Sequence, residues 1–342
     1  MRIAFASTLT AGIAAIALLT ACAGNSTGST SLVPGSPALP GAALHSRERG
    51  SPLGTCTEAR RLRAGVAHSQ SAKPAARSPL LYVADVCEPS IDVLRGGTYY
   101  ELGSITSEVS DPVDVFADSK GNLYAANSIG PNFSNGYITE YAADNWSSPS
   151  FTYNVNVAYP FAVTADANGN VYEGDENGYI NEYYQEQNVA TVASCQPVSN
   201  GRIYGVAVDS ENDVFATGAT ELFEYPGGLN KCPSPTVLPL PSTDVGQGIA
   251  VDKNANLLIA NGKSVEVVDA PSYSTVNATI GGFSCAVNVR LNKANTLAFV
   301  TDTCSETVTL VNYPSLTIAG VLGTGNGLIY PSAAVEHPNA VY

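Results

Sequence analysis

Short apolar runs alternate with polar turns along most of the chain, and one eleven-residue pattern recurs. An acidic residue stands second in this pattern, a polar turn follows, and an apolar pair fills positions seven and eight. Four copies are clear: ADSKGNLYAAN at 117–127, ADANGNVYEGD at 165–175, VDSENDVFATG at 208–218 and VDKNANLLIAN at 251–261. The pattern predicts pairs of short β-strands joined by tight hairpins.

The spacing of the copies indicates the architecture. Their acids are Asp118, Asp166, Asp209 and Asp252, which lie 48, 43 and 43 residues apart. A fifth copy, VRLNKANTLAFVTD at 289–302, carries Asn292 in place of the acid and one inserted residue. Repeats of this period, built from β-type runs, are typical of propeller blades.

Each blade is predicted to hold four strands, a to d, and the eleven-residue pattern is the a–b hairpin. In the third blade the strands are expected at Phe161–Asp166, Asn170–Glu173, Tyr179–Tyr183 and Val189–Ala193. The acid caps backbone amides of the turn, while Gly or Asn adopts positive φ. The apolar pair points to both faces of the blade, because each blade packs against two neighbours.

The two ends of the repeat region together supply one further blade. Strand a begins near Val113, Phe161, Tyr204, Gly248 and Ala286, and residues 331–342 read as a sixth strand a. LLYVADVCEPSIDVL at 80–94 aligns with strands b and c at 297–311, so the first blade lacks a strand a of its own. We therefore predict an all-β fold over residues 79–342, a six-bladed β-propeller whose C-terminal strand completes the first blade and hides two sheet edges. We expect it to be a monomer.

The amino terminus predicts export. Arg2 precedes an apolar run from Ile3 to Leu19, followed by Leu19-Thr20-Ala21-Cys22. This is the composition of a secretory signal, and its ending resembles a bacterial lipobox, which implies lipidation of Cys22 and a membrane anchor. Cleavage after Ala23 with plain secretion is the alternative. Residues 23–78, rich in Ser, Gly, Ala and Pro, are predicted to be a disordered tether.

Charge limits the possible partners. Residues 78–342 hold 28 Asp and Glu against eight Lys and Arg. An acidic body repels the phosphate backbone, so we expect no nucleic-acid partner. The membrane is expected as a partner through the lipid anchor.

The six remaining cysteines can form disulfides in an exported protein. Cys285 and Cys304 lie at adjacent ends of strands a and b, where a bridge is natural. Cys87 aligns with Cys304, and Cys56 is its expected partner. Cys195 and Cys232 remain as a pair, although the predicted topology places them on opposite faces. The alternative for Cys56 and Cys195 is a free thiol.

Common catalytic patterns are missing from the sequence. It has no G-x-S-x-G motif, and its three histidines, His45, His68 and His337, are too few for a convincing triad or zinc site. GTGNG at 323–327 lacks the Lys-Ser/Thr and the helix of a phosphate loop and reads as the turn after a strand d.

Two sets of polar residues are candidate sites. Strand b ends in Asp85, Asn127, Asp175, Asn261 and Asp302, oxygen ligands that would suit calcium, although such residues also close b–c turns. The mouth of the strands a presents pocket candidates: Asp114, Tyr204, Gln247, Asn288 and Tyr330, with Arg290 two residues inside its strand.

The repeat, with its YVAD, FVTD and GNLYAAN endings, resembles NHL and YVTN-type repeat β-propellers across residues 80–342. Such propellers include binding scaffolds, lactonases and lyases, so the resemblance implies a fold and not one activity. The lactonase-like members use a central Glu/Asn/Asp calcium site. Asp114 and Asn288 match that set only in part, and its glutamate is missing.

Two main functions follow as expectations. The first is a lipid-anchored scaffold in the cell envelope, without catalysis, that presents one face to an envelope protein, peptide or glycan. The alternative is a metal-dependent lactonase- or lyase-like enzyme that uses the axial pocket. A structural role in the envelope is a third possibility.

Overall fold

The computed structural model describes residues 79–337 except 130–134, 144, 155–156, 188–192, 199–200, 219 and 239–247. The described part is almost all β, and no helix in it is long and apolar enough to cross a membrane. The signal segment with Cys22, the tether 23–78, Cys56, Gln247 and residues 338–342 lie outside the described residues.

The first sheet joins the two ends of the described chain. Its strands, in spatial order, are β23 (Pro331–His337), β1 (Leu80–Asp85), β2 (Ser90–Arg95) and β3 (Glu101–Ile105). β23 runs antiparallel to β1, with Leu80 opposite His337 and Ala84 opposite Ala333. The predicted closure of the first blade by the C-terminal strand is confirmed.

Three further sheets have four antiparallel strands each, in chain order. The second sheet is β4 (Pro112–Ala117), β5 (Leu123–Asn127), β6 (Tyr137–Tyr141) and β7 (Phe151–Tyr153). The third is β8 (Pro160–Ala165), β9 (Val171–Asp175), β10 (Ile180–Tyr183) and β11 (Ala193–Cys195). The fourth is β12 (Gly205–Val208), β13 (Val214–Thr217), β14 (Leu222–Tyr225) and β15 (Thr236–Leu238).

The fifth sheet has seven strands because one long strand belongs to two sets of four. The strands are β16 (Ile249–Val251), β17 (Leu257–Ala260), β18 (Gly262–Val268), β19 (Val276–Leu291), β20 (Leu297–Asp302), β21 (Thr307–Asn312) and β22 (Thr317–Leu322). The first part of β19 pairs with β18, and its last part, from Ala286 to Leu291, pairs with β20. A short 3-10 turn at Thr324–Asn326 follows β22, where the sequence predicts a turn.

The turn chemistry of the eleven-residue pattern is present in the structure. Asp118 Oδ1 accepts hydrogen bonds from the backbone amides of Lys120, Gly121 and Asn122 at 2.8–2.9 Å. The other copies repeat the arrangement with Asp166, Asp209, Asp252 and Asn292 as acceptors. The turn residue with positive φ is Gly121, Gly169, Asn212, Ala255 or Asn295. Each a–b hairpin is therefore held by its own side chain.

Apolar cores lie between successive sheets. In β9, Val171 packs with the second sheet and its neighbour Tyr172 packs with the fourth, as alternation along a strand requires. The ring of cores closes where Leu81 and Val83 of β1 meet Phe299 of β20. The innermost strands β4, β8, β12, β16, the last part of β19 and β23 lie side by side in that order, and β23 contacts β4.

Two disulfides join pairs of cysteines that the sequence suggests. Cys285 and Cys304 are bonded across adjacent strand ends, with Cα atoms 5.3 Å apart. Cys195 and Cys232 are also bonded, with Cα atoms 5.2 Å apart. Cys87 is a disulfide cysteine as well.

Cys195 and Cys232 are bonded although the predicted topology places them on opposite faces of the propeller. Cys232 lies in the long connection between β14 and β15, and its Sγ is 3.2 Å from the Ser194 carbonyl oxygen of β11. Leu229 of the same connection is buried, and its carbonyl oxygen lies 3.5 Å from Cys195 Sγ. The connection therefore packs along the outer strand of the preceding sheet and reaches the far end of that strand.

Candidate functional site

A buried ion pair crosses the ring of inner strands. Asp114 of β4 and Arg290 of β19 form a salt bridge, with Arg290 Nη2 2.5 Å from Asp114 Oδ2. Asp114 Oδ1 accepts from Asn288 Nδ2 at 2.9 Å and from the Val115 amide at 2.9 Å. The Val163 amide of β8 donates to Asp114 Oδ2, and the Val163 carbonyl accepts from Arg290 Nη2, each at 2.9 Å. One carboxylate thus connects three inner strands.

This ion pair is buried. Asp114 is 1% and Arg290 5% exposed. Burial raises the pKa of Asp114, and the Arg290 guanidinium and the N–H donors oppose that rise. The guanidinium lies 5.6 Å from the centre of the Phe116 ring, which adds a cation–π contact. Asp114 is therefore fully engaged by protein donors.

A cavity of about 230 Å³ opens at the end of the inner strands where the a–b turns lie. We call it the axial cavity. It is lined by Phe116–Ser119, Thr164, Ala207, Val208, Ala250, Val251, Arg290–Lys293, Asn295 and Val335–His337. All of the inner strands or their turns contribute to it. The cavity exists because β12 and β16 supply only Ala and Val side chains, whereas β4 and β19 supply Phe116 and Arg290.

The predicted pocket candidates divide between this cavity and the closed part of the axis. Arg290 lines the cavity, while Asp114 and Asn288 lie in the buried network above it. Tyr204 is buried against Phe161, with ring centres 5.3 Å apart. Tyr330 is half-buried, and its amide donates to Asp85 Oδ2 at 3.1 Å. The cavity thus lies at the opposite end of the strands from the predicted mouth.

The residues at the ends of the strands b bind their own loops. Asp85 accepts from the amides of Cys87, Glu88, Ile329 and Tyr330. Asp302 accepts from the amides of Ser284, Cys285 and Ser305, and Asp175 from those of Asn177 and Tyr179. Asn127 accepts from the Ser110 amide, and Asn261 accepts from the Ser264 amide. Asp175 and Asn261 close the turns that follow their own strands, whereas Asn127, Asp85 and Asp302 also hold the neighbouring connection that leads into an inner strand.

No group of three or more His, Cys, Asp or Glu side chains in the described part of the chain is arranged to hold a metal ion. The Asp114 and Asn288 pair, which matches part of a lactonase-like calcium set, is occupied by Arg290 and by backbone amides. The side chains that line the cavity offer hydrogen bonding and charge.

Three solved structures are similar to this chain in fold. The WD40 β-propeller domain of Doa1 matches with a TM-score of 0.54 and 14% identity over 75% of this chain and 84% of that one. The fold is a β-propeller. Virginiamycin B lyase from Staphylococcus aureus matches with a TM-score of 0.51 and 10% identity, over 71% of this chain and 80% of that one.

The third structure is a protein of unknown function from Bacteroides caccae, with a TM-score of 0.58 and 9% identity over 76% of this chain and 98% of that one. No family model and no curated protein sequence matches the chain. At these identities the similarity extends to the fold alone.

No pattern in the sequence directly marks the cavity. Phe116, Ala207, Ala250 and Glu336 line it, yet each reads as an ordinary inner-strand residue. The one usable signal was the small size of the residues at 207 and 250, beside larger side chains at 116 and 290.

Proposed function

We propose that the protein is a lipid-anchored, extracytoplasmic β-propeller of six blades that acts as a binding scaffold in the cell envelope, without catalysis. The ring of six inner strands supports this number of blades, with β19 serving as the outer strand of one blade and the inner strand of the next. The two disulfides and the signal-like amino terminus support the location.

The main support for a binding role is that the Asp114–Arg290 ion pair closes the central axis of the propeller. Asp114 and Asn288, the two residues that match part of a lactonase-like calcium set, are engaged by Arg290 and by each other. Beside it lies a small cavity that opens on one face of the propeller. A rigid scaffold with a one-sided pocket is suited to hold a ligand or partner, such as an envelope protein, peptide or glycan.

Native mass spectrometry before and after treatment with a chelator, together with elemental analysis, tests the absence of metal chemistry. We expect one unchanged protein mass and no stoichiometric divalent ion. A calcium ion that is lost on chelation, together with lactone-opening activity that disappears in Asp114→Ala, would support the enzyme instead.

The anchor has its own test. Replacing Cys22→Ser removes the thiol that the lipid would modify, so the protein is expected to move from the membrane fraction to the soluble extracytoplasmic fraction. A control change downstream of the lipobox, Ser29→Ala, should leave the protein in the membrane fraction. Equal distribution of the wild type and Cys22→Ser would refute the anchor.

A further inference from the structure

The last strand of the fifth sheet, β22, has a free edge and carries exposed apolar side chains. In the described part of the chain it pairs with β21 on one side and with no strand on the other. Ile318 is 60% and Val321 55% exposed, and Thr317 and Ala319 beside them are exposed as well. The other exposed large apolar side chains of the described residues lie apart, in or beside three different sheets: Tyr100, Tyr184 and Val237.

Ile318 and Val321 share one side of the sheet because the pairing of β22 is irregular. Ile318 lies opposite Val311 and Val321 opposite Thr309, with a register shift between them. Directly opposite residues of paired strands share a face, and so do residues two apart on one strand. The two side chains therefore point the same way although they are three apart. Val311 belongs to a buried core cluster, so they lie at the outer margin of that core.

The length and composition of β22 are unusual for a free edge. Edge strands are normally short or carry charged side chains, which prevent contact with other molecules. The outer strands β7, β11 and β15 have three residues each, and β3 begins with Glu101. β22 has six residues, TIAGVL, with neither a charge nor a proline. Its exposed apolar side indicates an interaction surface.

The sequence around β22 is almost free of charge, unlike the rest of the propeller. Residues 307–335 contain no Asp, Glu, Lys or Arg. The wider stretch 270–335 holds two acids and two bases, and one of these bases, Arg290, is buried in its ion pair. The other 26 acids of residues 78–342, with six bases, lie outside that stretch. The negative charge of the propeller therefore belongs to its other parts.

This distribution of charge favours a second copy of the same chain as the partner. Two acidic copies repel each other wherever their charged surfaces meet, and β22 offers an approach without that repulsion. A basic partner would instead be attracted to the acidic parts. Contact across a two-fold axis brings the same patch of both copies together, which a neutral apolar patch allows because no like charges oppose each other.

We propose that two copies of the chain associate through β22 across a two-fold axis. Ile318 and Val321 of each copy pack against those of the other, and the removal of these side chains from water stabilises the contact. A contact of about one strand per copy is small, so the association is weak and reversible. This differs from the monomer expected from the sequence alone, and it does not depend on the binding function proposed above.

Sedimentation velocity of the purified full-length protein over a range of concentrations tests the proposal. We expect the mass to rise from one copy towards two as the concentration increases. Val321→Glu puts a like charge on both sides of the contact and is expected to weaken association at least about tenfold. Val237→Glu is the matched control and should associate as the wild type does, because Val237 is 62% exposed in the outer strand of another sheet.

Cross-linking tests whether the contact is centred on β22. Ala319→Cys changes an exposed residue near the middle of the strand, so a disulfide-linked dimer is expected on mild oxidation. Val237→Cys should remain unlinked under the same conditions. The native cysteines of the described residues are disulfide-bonded and do not compete.

A mass of one copy at every concentration would overturn the proposal, whatever covers β22. If another segment of the same chain covers it, the β22 amides of that monomer would be protected from hydrogen exchange. If a different envelope protein covers it, they would exchange freely in the purified protein. Association that Val321→Glu leaves unchanged, or that Val237→Glu weakens equally, would also overturn it. None of these results bears on the metal analysis, which decides the scaffold function separately.

Discussion

At the scale of single residues, the turns follow local rules that the sequence makes visible. Each a–b turn places one residue at positive φ, and Gly121 and Gly169 fill that position without strain. Ala255 holds the same position with φ of 64°, where a Cβ atom is unfavourable. This turn therefore carries strain that the sequence pattern alone can locate.

Ala255→Gly is expected to stabilise the protein by about 1 kcal/mol, because it removes the left-handed strain. In a domain of this size that corresponds to a rise of about 2–4 °C in the melting temperature, measured by calorimetry. Gly169→Ala is the reverse control and should lower it, since its Cβ would also lie 2.5 Å from Gln185 Oε1. A lower melting temperature for Ala255→Gly would contradict this account of the turn.

The ion pair on the axis is also a residue-scale feature, but no local rule predicts it. Asp114 and Arg290 are 176 residues apart and meet only when the ring of strands closes. The sequence marks both as unusual polar residues of inner strands, yet it holds no information on which of them pair. The sequence therefore marks Asp114 and Arg290 as candidates but does not predict their contact.

Arg290→Met is expected to destabilise the protein by about 3–5 kcal/mol, because it leaves Asp114 buried without its cation. The double variant Asp114→Asn with Arg290→Met should recover part of that loss. Urea unfolding of the single and double variants measures the coupling. Strictly additive effects would mean that the two side chains do not stabilise each other.

At the scale of elements, strand positions were predictable because the hairpin pattern fixes register. In the third sheet the ends of the predicted strands a, b and c differ from those of β8, β9 and β10 by at most two residues. Of the predicted strand d, Val189–Ala193, only Ala193 lies among the described residues, and it is the first residue of β11. Outer strands make few core contacts, so their sequence is weakly constrained and carries little signal.

The closing strand β23 is expected to be sensitive to proline. Ala333 is fully buried in the innermost strand of the first sheet and lies opposite Ala84, so Ala333→Pro puts a bulky ring into a packed core. Overpacking of this kind should cost about 1–3 kcal/mol in the free energy of unfolding, measured with urea.

Ala319→Pro is the matched control for this prediction. Ala319 is exposed in the edge strand β22, at an irregularity in its pairing with β21, where proline is tolerated. Its cost should be much smaller than that of Ala333→Pro. Equal costs would contradict the central role of β23 in closing the ring.

At the scale of the whole molecule, several carboxyl groups of this acidic protein are buried. Burial is the largest cause of a raised pKa for Glu140, Glu173, Glu182 and Glu336. A folded-state pKa above the unfolded value means that the native state keeps protons which the unfolded chain has released. The stability from these groups is full below the unfolded pKa and is lost as pH rises through the folded pKa.

The melting temperature is therefore expected to fall as the pH rises from about 4.5 towards 8, the range above the ordinary carboxyl pKa. Glu173 contributes strongly, since its pKa lies well above 4.5 and its only hydrogen-bond partner among the described residues is Asn181. Glu173→Gln should flatten the dependence, because glutamine does not titrate. A melting temperature that rises over this pH range would refute the prediction.

The central claim of this account is that the axis is closed by an ion pair and does not hold a metal. A high-resolution crystal structure of the protein grown in the presence of calcium tests it most directly. We predict that Asp114 keeps Arg290, Asn288 and the Val163 amide as its partners and that no ion lies on the axis. A calcium ion bound by Asp114 and further side chains, with Arg290 displaced, would contradict the claim and favour an enzyme.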